Sequence, residues 1–190
     1  MKNFITAADL KALRNLKGAS LNFITGYDVG DGLYSDLIII SSSNGLFTLQ
    51  GTVLVADFEG FLDEFSTIAV NVAPQKVVDG VIAKDFRYLQ QKSAVVEDVE
   101  LLIAHFSHFE NDRPDWTYET EVALMIHTTM GFIKIAKNSI HNEILEVDFL
   151  ASEPNLSEIA TSFRFETDIL ASTQLVLRKV KLEDAIKGLR

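Results

Sequence analysis

Apolar and polar residues repeat with two different periods along the chain, and these periods predict strands and helices. The first helix is predicted to follow Thr6, because Thr6 and Asp9 have the spacing of a capping box. Gly18 is a suitable stop, and the leucines between these positions form one apolar face. Strands with a period of two are predicted next, at about 21–28, 33–42 and 46–56.

A change to the helical period predicts two more helices in the middle of the chain. Over residues 57–65, three phenylalanines and a leucine fall at i, i+3, i+4 and i+7, which is the spacing of one helical face. Between 94 and 110, most apolar residues fall within a stripe about 140° wide at about 100° per residue. A long helix is therefore predicted there, and Pro114 is expected to end it by about residue 112.

The rest of the chain predicts further strands and short helices. Residues 117–129 alternate cleanly, with Tyr118 and Glu119 on opposite faces of a strand. Asn44-Gly45 predicts a type I′ hairpin turn, in which both central residues have positive φ. The weakest pattern lies at 75–92. The remaining predictions are strands at 67–74, 132–137, 143–150 and 173–181, a short helix at about 155–163, and a terminal helix.

Together these elements predict an α+β fold, made mainly of antiparallel sheets with helices packed on one side. Residues 1–190 are taken as a single globular domain. The alternative is two similar lobes of about 1–92 and 93–190, each with the order helix, three strands, short helix, strand. The hairpin at 38–49 matches the one at 124–135 in its apolar, hydroxyl and glycine positions. Any two amphipathic hairpins share such a pattern, so both arrangements stay open.

Composition limits the functional classes. Apolar residues make up 47% of the chain and thirteen residues are Phe, which favours a packed interior over disorder. Apolar runs fall far short of the roughly 18–20 residues that cross a bilayer, and the N-terminal residues do not resemble a signal peptide. We therefore expect a cytoplasmic protein without membrane contact. The sequence has no cysteine, which excludes disulfides, thiolate nucleophiles and zinc–thiolate sites.

The net charge of −10 argues against nucleic-acid binding, which needs clustered Lys and Arg side chains. An acidic surface instead suits a basic protein partner through electrostatic complementarity. The simpler explanation is that the negative charge maintains solubility. A homodimer stays open as well.

Residues 112–121, with the sequence DRPDWTYETE, are the best candidate for partner binding. They contain the only tryptophan, next to a tyrosine and several carboxylates. Trp and Tyr are enriched at the energetic centres of protein interfaces. The predicted binding residues are Trp116, Tyr118, Glu119 and Asp112. In the alternative interpretation, Trp116 closes the end of the core.

Three histidines form a candidate metal site. On the predicted helix, His105 and His108 lie one turn apart on the polar side, so both rings could reach one ion. His127, on the polar face of the following strand, would be the third ligand. The alternative is a solvated helix face with two neutral histidines. No cofactor is predicted.

These observations favour a non-enzymatic acidic protein that binds a protein partner. Immunity proteins and chaperones are comparable only as a class, since no motif is shared. The first alternative is a metal-dependent enzyme or metal-binding protein that uses His105, His108 and His127. The second is a small-molecule binder with its pocket between the two lobes. No catalytic constellation is recognisable, so catalysis is not predicted.

Overall fold

The computed structural model describes most of the chain, with gaps. The described residues are 2–3, 5–26, 33–58, 61–73, 87–89, 94–111, 113–139, 141–156, 159 and 173–188. In chain order the elements are β1 (Lys2–Asn3), α1 (Ala7–Arg14), β2 (Leu21–Gly26), β3 (Leu33–Ser35), β4 (Leu37–Ser42), β5 (Gly45–Phe58), β6 (Phe61–Ala73), β7 (Arg87–Leu89), β8 (Val96–Glu110), β9 (Arg113–Thr128), β10 (Gly131–Lys137), β11 (Leu145–Leu150), β12 (Thr173–Lys181) and α2 (Leu182–Gly188).

Two mainly antiparallel sheets dominate the fold. One has five strands in the order β6-β5-β4-β2-β7. The other has seven strands, in which β12-β8-β9-β10-β11-β3 are neighbours and β1 pairs with β9 in parallel. The predicted mainly antiparallel class is therefore confirmed.

One large apolar cluster joins both sheets and both helices. It includes Ile24, Ile40 and Phe47 from the five-stranded sheet and Leu124 and Ile133 from the seven-stranded sheet. A second cluster contains residues of β8 that alternate with those in the first cluster, so it lies on the opposite face of the seven-stranded sheet. This sheet is consequently covered on both faces along β8 and β9.

The first helix begins as predicted. The Thr6 hydroxyl accepts a hydrogen bond from the Asp9 N–H at 3.2 Å, and an Asp9 carboxylate oxygen accepts one from the Thr6 N–H at 3.1 Å. The other Asp9 oxygen accepts the N–H of Val70 in β6 at 2.7 Å. The cap therefore also ties α1 to an edge of the five-stranded sheet.

The predicted helix over 94–110 is wrong, because this segment is the strand β8. It lies between β12 and β9, and apolar side chains are buried on both of its faces. A strand that is buried on both faces does not show a simple alternation of apolar and polar residues. The pairing of β8 with β9 is also irregular at Val96/Asp98 and Leu102/Ile103, and this further disturbs the alternation of residues that face the two sides of the sheet.

The predicted helix over 57–65 is also wrong. Residues on both sides of Gly60 belong to the long hairpin of β5 and β6, in which Phe58 pairs with Phe61. The apparent helical face arises because Phe58, at the end of β5, and the apolar residues at the start of β6 happen to fall at helical spacing. Cross-strand pairing with β5 outweighs this local periodicity.

The hairpin turn near Asn44 is present, but its type differs from the prediction. Ser42 pairs with Gly45, so Ser43 and Asn44 form the turn. Among the described residues other than glycine, only Asn111 has a positive φ, which excludes a type I′ turn. Gly45 itself has a φ of 122°.

The turn after β9 repeats this arrangement. Gly131 has a φ of 126°, and the Thr128 hydroxyl donates to the Gly131 carbonyl and accepts from the Met130 N–H. The Ser42 hydroxyl makes the same two contacts, to Gly45 and Asn44. The two hairpins therefore share their turn chemistry.

The path of the chain is also similar in the two sheets. In the five-stranded sheet, β2, β4, β5 and β6 are neighbours in their order along the chain, and β7 returns to pair with β2. β8, β9, β10 and β11 do the same, and β12 returns to pair with β8. The predicted order of helix, three strands, short helix and strand is wrong for both halves, because the segments 57–65 and 94–110 are strands.

Two predicted regions fall largely outside the described residues. In 75–92 only β7 is described. In the short helix predicted at 155–163, Ile159 N–H donates to the Asn155 carbonyl at 3.2 Å, which is a helical contact, and most of the rest is not described. No helix in the described part of the chain has the length and apolar character needed to cross a membrane.

Gly51 in β5 provides a test of how the two sheets are held together. A Cβ atom at this position would lie 1.8 Å from the carbonyl oxygen of Glu143, which is a backbone atom that cannot rotate away. We expect Gly51→Ala to lower the free energy of unfolding by about 3 kcal/mol or more, measured by urea denaturation.

Gly188→Ala is the matched control. No atom lies within 4 Å of the Cβ position at Gly188, near the end of α2. Alanine is the better helix former, so this variant should be neutral or gain up to about 1 kcal/mol. Equal destabilisation by the two substitutions would contradict the close approach at Gly51.

Candidate functional site

The predicted binding residues lie on β9, but their side chains have different surroundings. Trp116 is half-buried and stacks on His108, with ring centroids 5.3 Å apart. Tyr118 is buried between Phe65 and Phe106, at centroid distances of 4.8 and 5.9 Å. Tyr118 therefore contributes to the second apolar cluster, whereas Trp116 packs against its edge.

Glu119 is buried and forms an ion pair across the sheet. One of its carboxylate oxygens accepts a hydrogen bond from Arg178 of β12 at 2.6 Å. Asp112, the fourth predicted binding residue, lies outside the described residues. Of the predicted set, only Trp116 is shown with part of its side chain at the surface.

The structure does not bring the three predicted metal ligands together. His105 and His108 are on a strand, where residues three apart point to opposite faces. His105 pairs with Glu119, which is eight residues and roughly 25 Å along β9 from His127. Among the described residues, no three His, Asp or Glu side chains are grouped so that they could hold a metal ion.

His127 instead forms a local pair. Its Nε2 lies 3.1 Å from a carboxylate oxygen of Glu100, and its ring meets the Phe132 ring edge-on at 4.9 Å. Both partners are neighbours across the sheet, so this contact belongs to the packing of β8, β9 and β10.

A buried ion pair between Glu121 of β9 and Lys137 of β10 is the most unusual polar feature of the described chain. Lys137 Nζ lies 3.1 Å from Glu121 Oε1, and both side chains are almost fully buried. The ammonium group also donates to the Ser66 carbonyl at 2.7 Å and to the Thr120 hydroxyl at 3.0 Å. All three donors of the ammonium group therefore have an acceptor.

The Glu121 carboxylate is equally well satisfied. Oε1 also accepts from the Thr67 hydroxyl at 3.0 Å and from the Ile68 N–H at 3.4 Å. Oε2 accepts from the Ile5 N–H at 2.9 Å. The pair thus joins the segment after β1, the middle of β6, and the strands β9 and β10.

This pair helps to cover the outer edge of β6, the edge strand of the five-stranded sheet. In a strand, alternate residues direct their backbone groups away from the neighbouring strand, and here four such groups bond to side chains. An edge covered in this way cannot template pairing with another strand. The contacts are His141 to the Glu64 carbonyl, Lys137 to the Ser66 carbonyl, Glu121 to the Ile68 N–H, and Asp9 to the Val70 N–H.

The sequence pattern placed Glu121 on a polar face of β9, together with Ala123 and Met125. In the structure, Leu102 pairs with Ala123 and Ile103 pairs with Glu121, so Val122 is an extra residue in β9. This bulge reverses the facing of the residues before it and turns Glu121 to the side of Leu124. The only sequence indication was a carboxylate and a lysine next to the apolar runs of β9 and β10.

Burial lowers the pKa of Lys137 below its ordinary value, because the charged ammonium loses its hydration, and the nearby Glu121 carboxylate offsets part of this effect. The arrangement has the character of a structural junction, since every polar atom of the pair is engaged by the protein itself.

The outer part of the β5–β6 hairpin forms an arm, defined as residues 51–58 and 61–68. Within the described residues, β4 pairs with β5 only as far as Gln50. Directly opposite residues in an antiparallel pair share a face, so the pairs Val55–Glu64 and Asp57–Leu62 lie on one face of the arm. Val55 and Leu62 are 64% and 80% exposed.

Comparisons with protein families, with curated proteins and with solved structures found no match to this chain. Its function must therefore be inferred from its own surfaces and cavities.

Lys137→Met tests the buried pair. The change leaves the Glu121 carboxylate buried without its cation, so we expect the free energy of unfolding to fall by about 3–5 kcal/mol. Lys134→Met, on the same strand, removes the cation of a more exposed pair with Asp148 and should lose less than about 1 kcal/mol. Similar losses in urea denaturation would contradict the role assigned to Lys137.

The lowered pKa of Lys137 also predicts how stability depends on pH. Between this pKa and the ordinary value of 10.5, the folded chain has released a proton that the unfolded chain still binds. The free energy of unfolding should therefore rise with pH in this window. We expect the stability difference between the original chain and Lys137→Met to widen as pH approaches 10.5, and a shrinking difference would contradict the pKa direction.

Proposed function

We propose that this chain is a non-enzymatic cytoplasmic protein that binds a partner protein through the arm. The observation that supports the proposal is the exposed face on which Val55 and Leu62 lie next to Asp57 and Glu64. Scattered exposed apolar residues are normal on protein surfaces, whereas neighbouring ones on a projecting element are typical of interaction sites.

The chemistry of this face favours a partner with apolar and basic residues. Val55 and Leu62 are diagonal neighbours across the two strands, and so are Asp57 and Glu64. The apolar pair supplies area to bury, and the acidic pair supplies attraction at longer range. The net charge of −10 adds to this attraction.

The arm is also longer than its counterpart in the second half of the chain. We infer that the halves are related by duplication, on the basis of their shared strand path and turn chemistry. In the first half the hairpin strands have 14 and 13 residues, whereas β10 and β11 have 7 and 6. The core of a sheet of this kind therefore does not require the extra length, which supports a role in binding.

Trp116 is included in the proposed interface as a second contact. Phe65, at the base of the arm, packs on Tyr118, and Trp116 packs against the same apolar cluster. The predicted aromatic residues thus adjoin the arm, with Tyr118 supporting it from inside.

The test is capture of a partner from the native host, followed by affinity measurements with the purified partner. We expect a stoichiometric partner, and we expect Val55→Ser with Leu62→Ser to weaken binding by at least about tenfold at every salt concentration. Asp57→Asn with Glu64→Gln should weaken binding mainly at low salt, because salt screens exposed charges.

Val176→Ser is the control for the apolar change. Val176 is 58% exposed on β12, which lies in the other sheet. This variant should bind as tightly as the original chain. Failure to recover a partner at any salt concentration, or equal binding by the arm variant, would contradict the proposal.

A further inference from the structure

We propose that the partner protein adds a strand to the open edge of β5, over residues 52–58, and that this strand carries basic side chains. The inference rests on the proposed function, because it concerns the same arm, and it specifies how the partner is held. Backbone hydrogen bonds then contribute to binding together with side chains, as they do where other proteins bind an extended segment at the edge of a sheet.

The edge is open because the strand next to β5 turns away. β4 pairs with β5 as far as Gln50. Just before β4, the Asp36 carbonyl accepts the N–H of Gly51 at 2.9 Å, and the residues that precede it form β3, which pairs with β11 of the other sheet. Beyond Gly51, no described strand lies beside β5 on this side.

The backbone groups of Val53 and Val55 point to this open edge. Gly51 donates toward the β4 side, and β5 pairs regularly with β6, so every second residue after Gly51 points the same way. Ser66, which pairs with Val53, correspondingly directs its carbonyl away from β5, to Lys137. No described residue bonds to the outward N–H and carbonyl groups of the two valines, so an added strand can use them.

Both faces of the arm are exposed at this edge. Leu54 is 49% exposed and Val55 is 64% exposed, and successive residues of a strand point to opposite faces. An added strand therefore buries apolar side chains above and below the sheet. Residues 52–58 contain no lysine or proline and no irregularity of pairing, which are features that usually keep an exposed edge from pairing. The outer edge of β6, in contrast, is covered by four side chains.

Charge favours a basic strand from another protein over a second copy of this chain. Asp57 lies on the same face as Val53 and Val55, so a lysine or arginine directly opposite Asp57 forms a favourable cross-strand pair. In a two-fold pairing of two arms about Val55, Asp57 would instead face Val53 of the other copy. Two chains that each have a net charge of −10 would also repel each other.

The probe is a seven-residue peptide, blocked at both ends, with lysine at its second and sixth positions, valine at its fourth and threonine elsewhere. Antiparallel to β5, with its valine opposite Val55, it places a lysine opposite Asp57. By NMR titration of the full chain, we expect saturable binding with shift changes over residues 52–58. Replacing both lysines with glutamate should weaken binding at least about tenfold at low salt.

N-methylation of the peptide backbone tests the edge contact, because it removes one donor and leaves the side chains unchanged. In this alignment the N–H of the peptide valine faces β5, whereas the N–H of the threonine that follows it faces away. Methylation at the valine should weaken binding at least about tenfold, and methylation at this threonine should change it by less than about twofold.

Val55→Pro tests the same contact from the side of the protein. Proline removes the Val55 N–H, which points away from β6, so the pairing of the hairpin is kept. Val55→Ala is the matched control, because it shortens the same side chain and keeps the N–H. We expect Val55→Pro to abolish peptide binding and Val55→Ala to weaken it by less than about tenfold. The N-methylation comparison uses the unmodified chain, so it remains decisive if Val55→Pro fails to fold.

Three results would overturn strand addition by a basic partner: no saturable binding of the lysine peptide, equal effects of the two methylations, or dimerisation of the chain through residues 52–58. The proposed function fails by a different measurement, which is unchanged binding of the captured partner to Val55→Ser with Leu62→Ser. Loss of partner binding in that double variant without any peptide binding would therefore leave the arm as the interface and reject only strand addition.

Discussion

The buried contact between Glu121 and Lys137 is the constraint on which the junction of the two sheets depends. β6 ends the five-stranded sheet, and its outer backbone groups have no further strand to bond to among the described elements. Buried peptide groups without partners are strongly unfavourable, so another source of donors and acceptors is required. The carboxylate and the ammonium group supply both kinds, one to an N–H and the other to a carbonyl of the same strand. The sheets can therefore pack closely without sharing a strand at this edge.

An apolar pair of similar size could fill the same volume, but it could not bond to the backbone groups of β6. Buried ion pairs are often no more stabilising than apolar residues, because desolvation offsets much of their attraction. Here the pair fixes direction, since Glu121 must meet the N–H of Ile68 and Lys137 must meet the carbonyl of Ser66. Displacing β6 by one residue would replace each of these groups with one that points the other way. The polar junction thus selects one alignment of β6 against β9 and β10.

The sequence pattern was sufficient where the chain has a local capping motif or a clean alternation of residue types. The cap at Thr6 and the strand over 117–129 are examples. It failed over 94–110, because β8 is buried on both faces and its pairing with β9 is irregular. The burial of Glu121 could not be predicted either, because it depends on the single extra residue at Val122. In a regular strand, Glu121 would have turned to the other face. The arm could not be recognised from periodicity, because Leu62 and Phe65 are equally apolar and only tertiary packing leaves one exposed and the other buried.

The cover of the β6 edge has a consequence for the order in which the protein acquires its structure during synthesis. Glu121 and Lys137 follow Ile68 by 53 residues and Ser66 by 71 residues, so they leave the ribosome much later than the strand they protect. The N-terminal strand β1 likewise cannot pair until β9 has been synthesised, and β3 cannot pair until β11 has been synthesised. Such distant pairings slow folding and prolong the time for which strand edges are open. The nascent chain therefore passes through a stage in which Asp9, in the cap of the first helix, is the first of these side chains that can bond to the outer edge of β6.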